Sequence, residues 1–505
     1  MHGRVKVRTS EEEKARKEKE RQEKLKVFKN AMQKIQLKRQ QCEFDKDLLE
    51  LTGKVLMSNP DIYTLWNIRR EILQQIKNIN TEDDLTKVFD DELSMTEYCL
   101  KINPKSYCAW HQREWMNEIF IPGTIVEFVV SQCKSSLQDE FDYTTEKLLD
   151  NFSNYSAWHY RSKMLLQLYP DIEGGRPIQD IYHKHELKMV QNAAFTDPDD
   201  TSAWFYQRWL LGAFKSTVNL VLCTVTQFKT TIAFSKHVSY DYVTSKSRVI
   251  VNENVISGDW ISLSGNNHDT LWILGHNVSI NDDMNIKVEH NGNEKNEIIS
   301  CFKYKHMTYI GKSDICFQNN YSHPIIEELN EQLKACRQLL VLEPDNKWTL
   351  LTTTIFLHCI DSKLYYQETI QNLQRLKKLD QQRAGYYNDL LTKWSIEEQL
   401  PLDYASKDLV FKPTFSEKIT ILPHLQYYSF CEVVDLSNQN LCSNILPSLI
   451  FLQHCKILIL RNNKLHTLKG FPNIFLEKLD IQGNKDISEE ELKHFKDSHD
   501  FVTIF

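Results

Sequence analysis

The chain of 505 residues carries 61 Lys and Arg against 68 Asp and Glu, a net charge of −7, with 41% hydrophobic and 11% aromatic residues. At roughly 150 residues per domain this length predicts about three domains, and the composition excludes a wholly disordered or collagen-like chain. No apolar run approaches the ~18 residues needed to span a bilayer, the start Met-His-Gly-Arg is charged, and the final Val-Thr-Ile-Phe has no lipid-accepting cysteine, so a soluble, cytoplasmic chain is expected.

The chain opens on a basic arm. Residues 1–41 hold 14 Lys and Arg against 6 Glu, a surplus of eight, which leaves about −15 on the rest. Such an arm reads as a solvated helix, and the acidic body argues against nucleic acid as a partner. Twelve cysteines are scattered without a Cys-x-x-Cys pair, so reduced, mostly buried thiols are expected rather than a zinc finger or disulfide framework.

A repeat follows. Pro60-Asp-Ile-Tyr63-Thr-Leu-Trp66-Asn-Ile-Arg69 returns as Pro104-Lys-Ser-Tyr107-Cys-Ala-Trp110-His-Gln-Arg113 and as Phe152-Ser-Asn-Tyr155-Ser-Ala-Trp158-His-Tyr-Arg161. A looser copy, Pro198 to Trp204, loses the tyrosine and slides the arginine to Arg208, and a decayed fifth begins at Pro344 with Trp348. The first four tryptophans step by 44, 48 and 46 residues. Each copy reads as a helix broken near the proline and restarted after it. In the second helix Tyr, Trp and Arg share one broad face; the aromatics should pack between layers and the arginine should pair with an acidic neighbour. The expected architecture is a right-handed α-solenoid of at least five stacked hairpins.

Between Trp209 and Ile325 the pattern changes to short β-type runs: 218–228, 248–251, 260–263, 271–280, 286–289, 298–304 and 307–310, with Asn266-Asn267, Gly292-Asn293 and Gly311 as turn signals. About seven strands suggest an immunoglobulin-like β-sandwich. Its cysteines are not expected to form a bridge. As it carries no candidate catalytic residue, it is expected to be removable without loss of assembly. Beyond Pro423, Val434-x-Leu436-x-x-Gln439-x-Leu441, Leu458-x-Leu460-x-x-Asn463-x-Leu465 and Leu479-x-Ile481-x-x-Asn484, spaced by 24 and 21, match a leucine-rich pattern. It would lean on the helical domain or be self-capped at 495–505. The multidomain, mainly α reading is therefore 1–217 basic helix and repeats one to four, 218–322 sandwich, 323–422 remaining repeats and 423–505 leucine-rich repeats.

No complete catalytic set is visible. Gly311-Lys312-Ser313 lacks the upstream glycine of a phosphate loop. His183 and His185, two apart on a helix, point apart and read as solvated. One departure inside the repeats stands out. Two positions before the tyrosine or its equivalent the copies carry Asp61, Lys105, Ser153 and Asp199, so only the second places a cation at this turn, where an ammonium suits a diphosphate. A non-catalytic scaffold of solenoid and leucine-rich repeats is the alternative, and it would have no need of that lysine.

The Pro-x-x-Tyr-x-x-Trp-x-x-Arg string resembles the repeat of protein prenyltransferase α subunits, strongly over 50–215 and weakly over 325–400. Interruption by a sandwich and a leucine-rich tail make the chain similar to the α subunits of type II (Rab) geranylgeranyltransferases; its departures are the degenerate fourth and fifth copies and a short leucine-rich array. The resemblance implies a heterodimer with a β subunit that holds zinc and the lipid pocket, geranylgeranyl diphosphate as donor, and Rab GTPases with a Rab escort protein as partners. It implies Lys105 as stabiliser of the leaving diphosphate, with Tyr107, Asn154 and Tyr155 beside it. His2, on the basic arm, could reach the partner's zinc. Trp66, Arg69, Trp110, Arg113, Trp158, Arg161, Trp204 and Arg208 are the structural repeat.

Overall fold

Helical hairpins fill the first of the two units, Met1–Ala213 and Phe214–Phe505, into which the chain divides in the computed structural model. The structure describes all residues except 1–10, 42, 80–81, 121–136, 173–175, 215–216, 282–283, 293–295, 306–307, 316, 318–320, 406–408, 414, 416, 499–502 and 505; His2 lies outside the described residues. After α1 (Glu11–Gln40) come four hairpins: α2 (Lys46–Ser58) with α3 (Tyr63–Ile79), α4 (Glu82–Ile102) with α5 (Tyr107–Phe120), α6 (Leu137–Asp150) with α7 (Tyr155–Leu168), and α8 (Asp180–Thr196) with α9 (Thr201–Gly212).

Within every hairpin the turn is four residues long, at 59–62, 103–106, 151–154 and 197–200. The first side chain of each turn, Asn59, Asn103, Asn151 or Asp197, accepts the backbone N–H two residues on, at 3.0 to 3.3 Å. The indole N–H of Trp66, Trp110, Trp158 and Trp204 then reaches back six residues to the carbonyl of Pro60, Pro104, Phe152 and Pro198, at 2.8 to 3.0 Å. The tryptophan is thus a clasp on the turn as well as core, which is why its spacing from the proline is so regular.

The arginines are buried. Arg113 donates to Glu140 (Nε–Oε2 3.0 Å), the Leu93 carbonyl and the Thr96 hydroxyl. Arg161 donates to Glu186 through both faces of its fork at 2.7 Å, and to the Phe141 carbonyl and Thr144. Arg69 repeats the set with Glu92, Leu49 and Thr52. In each case the carbonyl lies 20 residues back, the hydroxyl 17 back, and the glutamate on the next repeat, so the bidentate pair ties neighbouring hairpins. Gln112, Tyr160 and Tyr206 add a further bond to the glutamates. Arg208, slid by one position, instead donates to the Trp204 carbonyl. The tyrosines depart from expectation: Tyr63, Tyr107 and Tyr155 are exposed rather than packed between layers, because the first helical position faces outward where the tryptophan three residues on turns in.

The second unit opens with an antiparallel nine-stranded sheet in the order β4-β3-β7-β8-β9-β1-β2-β6-β5. Its strands are β1 (Leu220–Thr226), β2 (Lys229–Ser239), β3 (Ser247–Val251), β4 (Asn254–Ile256), β5 (Trp260–Ser262), β6 (His268–Gly275), β7 (Ile286–Asn291), β8 (Asn296–Lys305) and β9 (Thr308–Lys312), with a short α10 (Tyr240–Lys246) between β2 and β3. All seven predicted runs carry a strand; β2 and β4 were missed. Val249, Val288 and Ile299 from one end of the sheet share a core with Leu220, Phe234 and Trp272 from the other, so the sheet curls onto itself. Gly311 is no turn but lies within β9. A Cβ there would come within 2.4 Å of Ile299 and 2.7 Å of Cys223 Sγ, so glycine is required by close packing. Its lack of a side chain leaves room for the Cys223 and Cys301 sulfurs to meet at 3.3 Å as free thiols.

Helices α11 (His323–Leu342) and α12 (Lys347–Ile360) form a fifth hairpin, again with a four-residue turn, followed by α13 (Tyr366–Leu379) and α14 (Ala384–Ala405). The chain then runs through a parallel ladder, β10 (Val410–Phe411), β11 (Val433–Asp435), β12 (Ile457–Ile459), β13 (Lys478–Asp480) and, after α15 (Glu489–Ser498), β14 (Thr503–Ile504). Asn463 and Asn484 lie buried at its turns. Each donates to two backbone carbonyls at 2.8 to 3.0 Å and accepts one N–H at 3.1 Å. One apolar core joins the curled sheet (Val221, Leu222, Leu271, Ile310), α14 (Ile396, Leu400) and the ladder leucines.

Candidate functional site

Two of the outward tyrosines of the first unit, Tyr63 and Tyr107, border a cavity of about 360 Å³. Tyr63 opens α3 and Tyr107 opens α5, and both line it with Cys108, His111, Glu114, Ser156, His159 and Lys163. The Tyr107 and Tyr155 rings lie 6.1 Å apart, and Tyr155 stacks with His159 at 6.3 Å. Across the opening Lys163 of α7 pairs with Glu114 of α5, and His111 Nδ1 stands 3.9 Å from the same carboxylate. Burial pushes the Cys108 thiol up, with Asp61 adding to the effect, so it stays protonated at neutral pH and is a weak nucleophile.

Lys105 lies exposed on the turn before Tyr107, its N–H held by Asn103, which also donates to Asp61 of the neighbouring turn at 2.8 Å. The structure therefore gathers Lys105, Tyr107 and Tyr155 along adjacent turns of the second and third repeats. Asn154 is different. It is fully buried, and its Oδ1 accepts the Ala157 N–H at 3.2 Å as the N-cap of α7. Its Nδ2 and the nearby Ser156 hydroxyl, the latter on the cavity wall, are buried without a hydrogen-bond partner.

Sequence reasoning missed His111, Glu114, His159 and Lys163. They fall four and seven residues after Tyr107 and four and eight after Tyr155, the spacing of a single helix face, so extending the tyrosine stripe along each helix would have found them. The His183 reading is overturned. Its ring is buried, with Nε2 3.0 Å from the Leu210 carbonyl, and burial lowers its pKa, whereas His185 is exposed beside Glu186. Among the described residues no three His, Cys, Asp or Glu are placed to hold a metal ion, and no helix is long and apolar enough to cross a membrane.

Residues 45–76, 89–119, 137–168 and 183–214 match the protein prenyltransferase alpha subunit repeat. Along nearly its full length the chain is similar to curated relatives named geranylgeranyl transferase type-2 subunit alpha. The protein from Sus scrofa is 34% identical over 96% of this chain and 92% of its own; that from Homo sapiens is 33% identical over 94% and 89%. A solved chain of Candida albicans protein geranylgeranyltransferase-I complexed with GGPP covers 73% of this chain and 91% of its own at 15% identity and a TM-score of 0.33, a likeness too weak to weigh.

Proposed function

Because the chain belongs to the geranylgeranyl transferase type-2 α subunits, we propose that it works as the α half of a heterodimer that moves the geranylgeranyl group of geranylgeranyl diphosphate onto C-terminal cysteines of Rab GTPases presented by an escort protein. It is a transferase subunit that acts with a β subunit. The observation that carries the reading is likeness at one third identity over almost the whole of both chains.

In this reading Lys105 meets the departing diphosphate. Its support is position: an exposed ammonium on the turn that leads into Tyr107, next to Tyr155. A preorganised cation facing charge that develops in the transition state lowers the barrier without reorganising. The partnerless Nδ2 of Asn154 and hydroxyl of Ser156 are buried donors that suit an anion brought to the start of α7, where the helix N-terminus adds partial positive charge. Zinc, which would activate the acceptor thiol, belongs in this reading to the β subunit.

The finer architecture supports the same membership. We read the curled sheet as an immunoglobulin-like sandwich, since its two ends share one core, and the parallel ladder, with Asn463 and Asn484 tying its turns, as leucine-rich repeats. Co-expression with a prenyltransferase β subunit tests the function. A stable 1:1 complex that transfers tritiated geranylgeranyl to a Rab substrate in the presence of escort protein is expected. A chain that purifies as a monomer and confers no transfer when mixed with the β subunit would refute it.

A further inference from the structure

The second unit holds a cavity of about 250 Å³, open on one side, between the end of α12, the start of α13 and the middle of α14. That is smaller than the ~300–1,000 Å³ of ordinary small-molecule sites, and is the size of one side chain. Its lining is rich in acceptors. Glu397, Glu398 and Asp361 contribute three carboxylates against the ammonium of Lys363 in the lining and that of Lys393 outside it, 3.8 Å from Glu397. Pro401, within α14, has no N–H to give the Glu397 carbonyl four residues back. The Thr369 hydroxyl is 1% exposed and has no hydrogen-bond partner.

The walls are aromatic. His358 and Trp394 stack at 4.2 Å and 17°, and Tyr366 is anchored through its hydroxyl to Ser395 at 3.2 Å. Burial holds the His358 pKa down to about 4, so this wall carries no charge at neutral pH. Glu397 is held in place: it accepts a hydrogen bond from His424 at 2.8 Å, and His424, at φ 62°, packs at a tilt against Phe317. The three carboxylates do not converge as metal ligands. Dispersed acceptors against a flat π surface call for a planar cation with several donors, which is the chemistry of a guanidinium.

We infer that this cavity receives the guanidinium of an arginine side chain presented by a partner polypeptide. Nothing in the transfer reaction requires it, and the inference does not rest on Lys105 or on the diphosphate.

The test is calorimetric titration of the heterodimer with N-acetyl-arginine methylamide, its neutral isostere N-acetyl-citrulline methylamide, N-acetyl-lysine methylamide and free arginine. Millimolar binding of the arginine amide is expected, at least tenfold weaker for citrulline and for lysine. Glu398→Gln, on a partly exposed residue, and Thr369→Val should each weaken it about tenfold, with circular dichroism and β-subunit binding unchanged. Lys105→Ala should leave it untouched. Equal binding of arginine and citrulline amides, no binding, or indifference to Glu398→Gln in a folded heterodimer overturns the proposal. Equal binding of the lysine amide overturns the guanidinium assignment. Tenfold tighter binding of free arginine than of its amide overturns the polypeptide source.

Discussion

Lys105 and Arg161 mark the two things a cation does in this chain. Lys105 is exposed on a turn and contributes little to folding, so Lys105→Ala should leave the heterodimer intact while single-turnover transfer falls about a hundredfold, the ~3 kcal/mol typical of one lost transition-state donor. Unchanged transfer would remove the lysine from the chemistry. Arg161 is buried against Glu186, and its loss is structural. Burial alone would raise the Glu186 carboxyl, yet hydrogen bonds from Arg161 and His185 bring it down to about 2. Arg161→Leu strands that charge and should cost about 3–5 kcal/mol in denaturant unfolding, with Arg161→Leu/Glu186→Leu recovering much of it; a single variant as stable as the parent would contradict the pairing. The arginines were legible because they repeat beside the tryptophan. Their glutamates were not, since Glu92, Glu140 and Glu186 lie 23, 27 and 25 residues on, an offset that drifts with each connection. Asn154 was read as a pocket residue, although its place just before a helix is also the signature of an N-cap.

Elements were legible where period and length agreed. The hairpins announce themselves through proline and tryptophan, whereas β2 follows β1 after two residues and its mixed Lys229-Thr-Thr-Ile-Ala-Phe-Ser-Lys sequence alternates poorly because both faces of its central stretch are buried. Gly311 was misread for a related reason: a glycine needed for close packing and one needed for a turn look alike in sequence. The two units also differ in acid response. His290, His358 and His454 are each lowered to about 4, first by burial. The unfolded chain binds protons at these sites below about 6.5 while the fold does not until about 4, so stability is full above 6.5 and falls as pH drops through that window, by up to about 3 kcal/mol per histidine. Glu186, depressed to about 2, keeps its contribution until pH falls below its ordinary 4.5. The hairpins hold one histidine lowered by burial, His183, against three in the second unit brought to about 4, so segment-resolved hydrogen exchange should show the second unit opening between pH 6.5 and 4 before the hairpins do, and His454→Gln should flatten the slope. Simultaneous opening of both units would contradict this.

At the scale of the whole molecule, the curled sheet was expected to be a removable insert. Its strands instead share a core with α14 and the ladder, and Thr224 and Lys229 hydrogen-bond His454 and Gln453. Deleting about 218–322 should expose that core and leave the ladder aggregation-prone, while hairpins one to four keep their helical signal; a soluble deletion with a protected ladder would restore the modular view. The partner in such a shared core is invisible in sequence, because apolar outward residues such as Val221 and Ile310 show that a second layer covers the sheet but not which segment supplies it.

The uniform four-residue turns carry a last consequence, for how such a chain can evolve and be re-engineered. One edge of hairpins one to four is locked by a side-chain cap and an indole clasp, and all five turns have equal length. Within the first unit the connections at the opposite edge run from two residues between Ile79 and Glu82 to sixteen between Phe120 and Leu137. Insertions and deletions are thus admitted on one side and refused on the other. A foreign module, a protease site or a new chain terminus grafted after α3, α5 or α7 should be borne quietly. The same graft between Pro104 and Trp110 would spring the clasp and unseat the turn that bears Lys105.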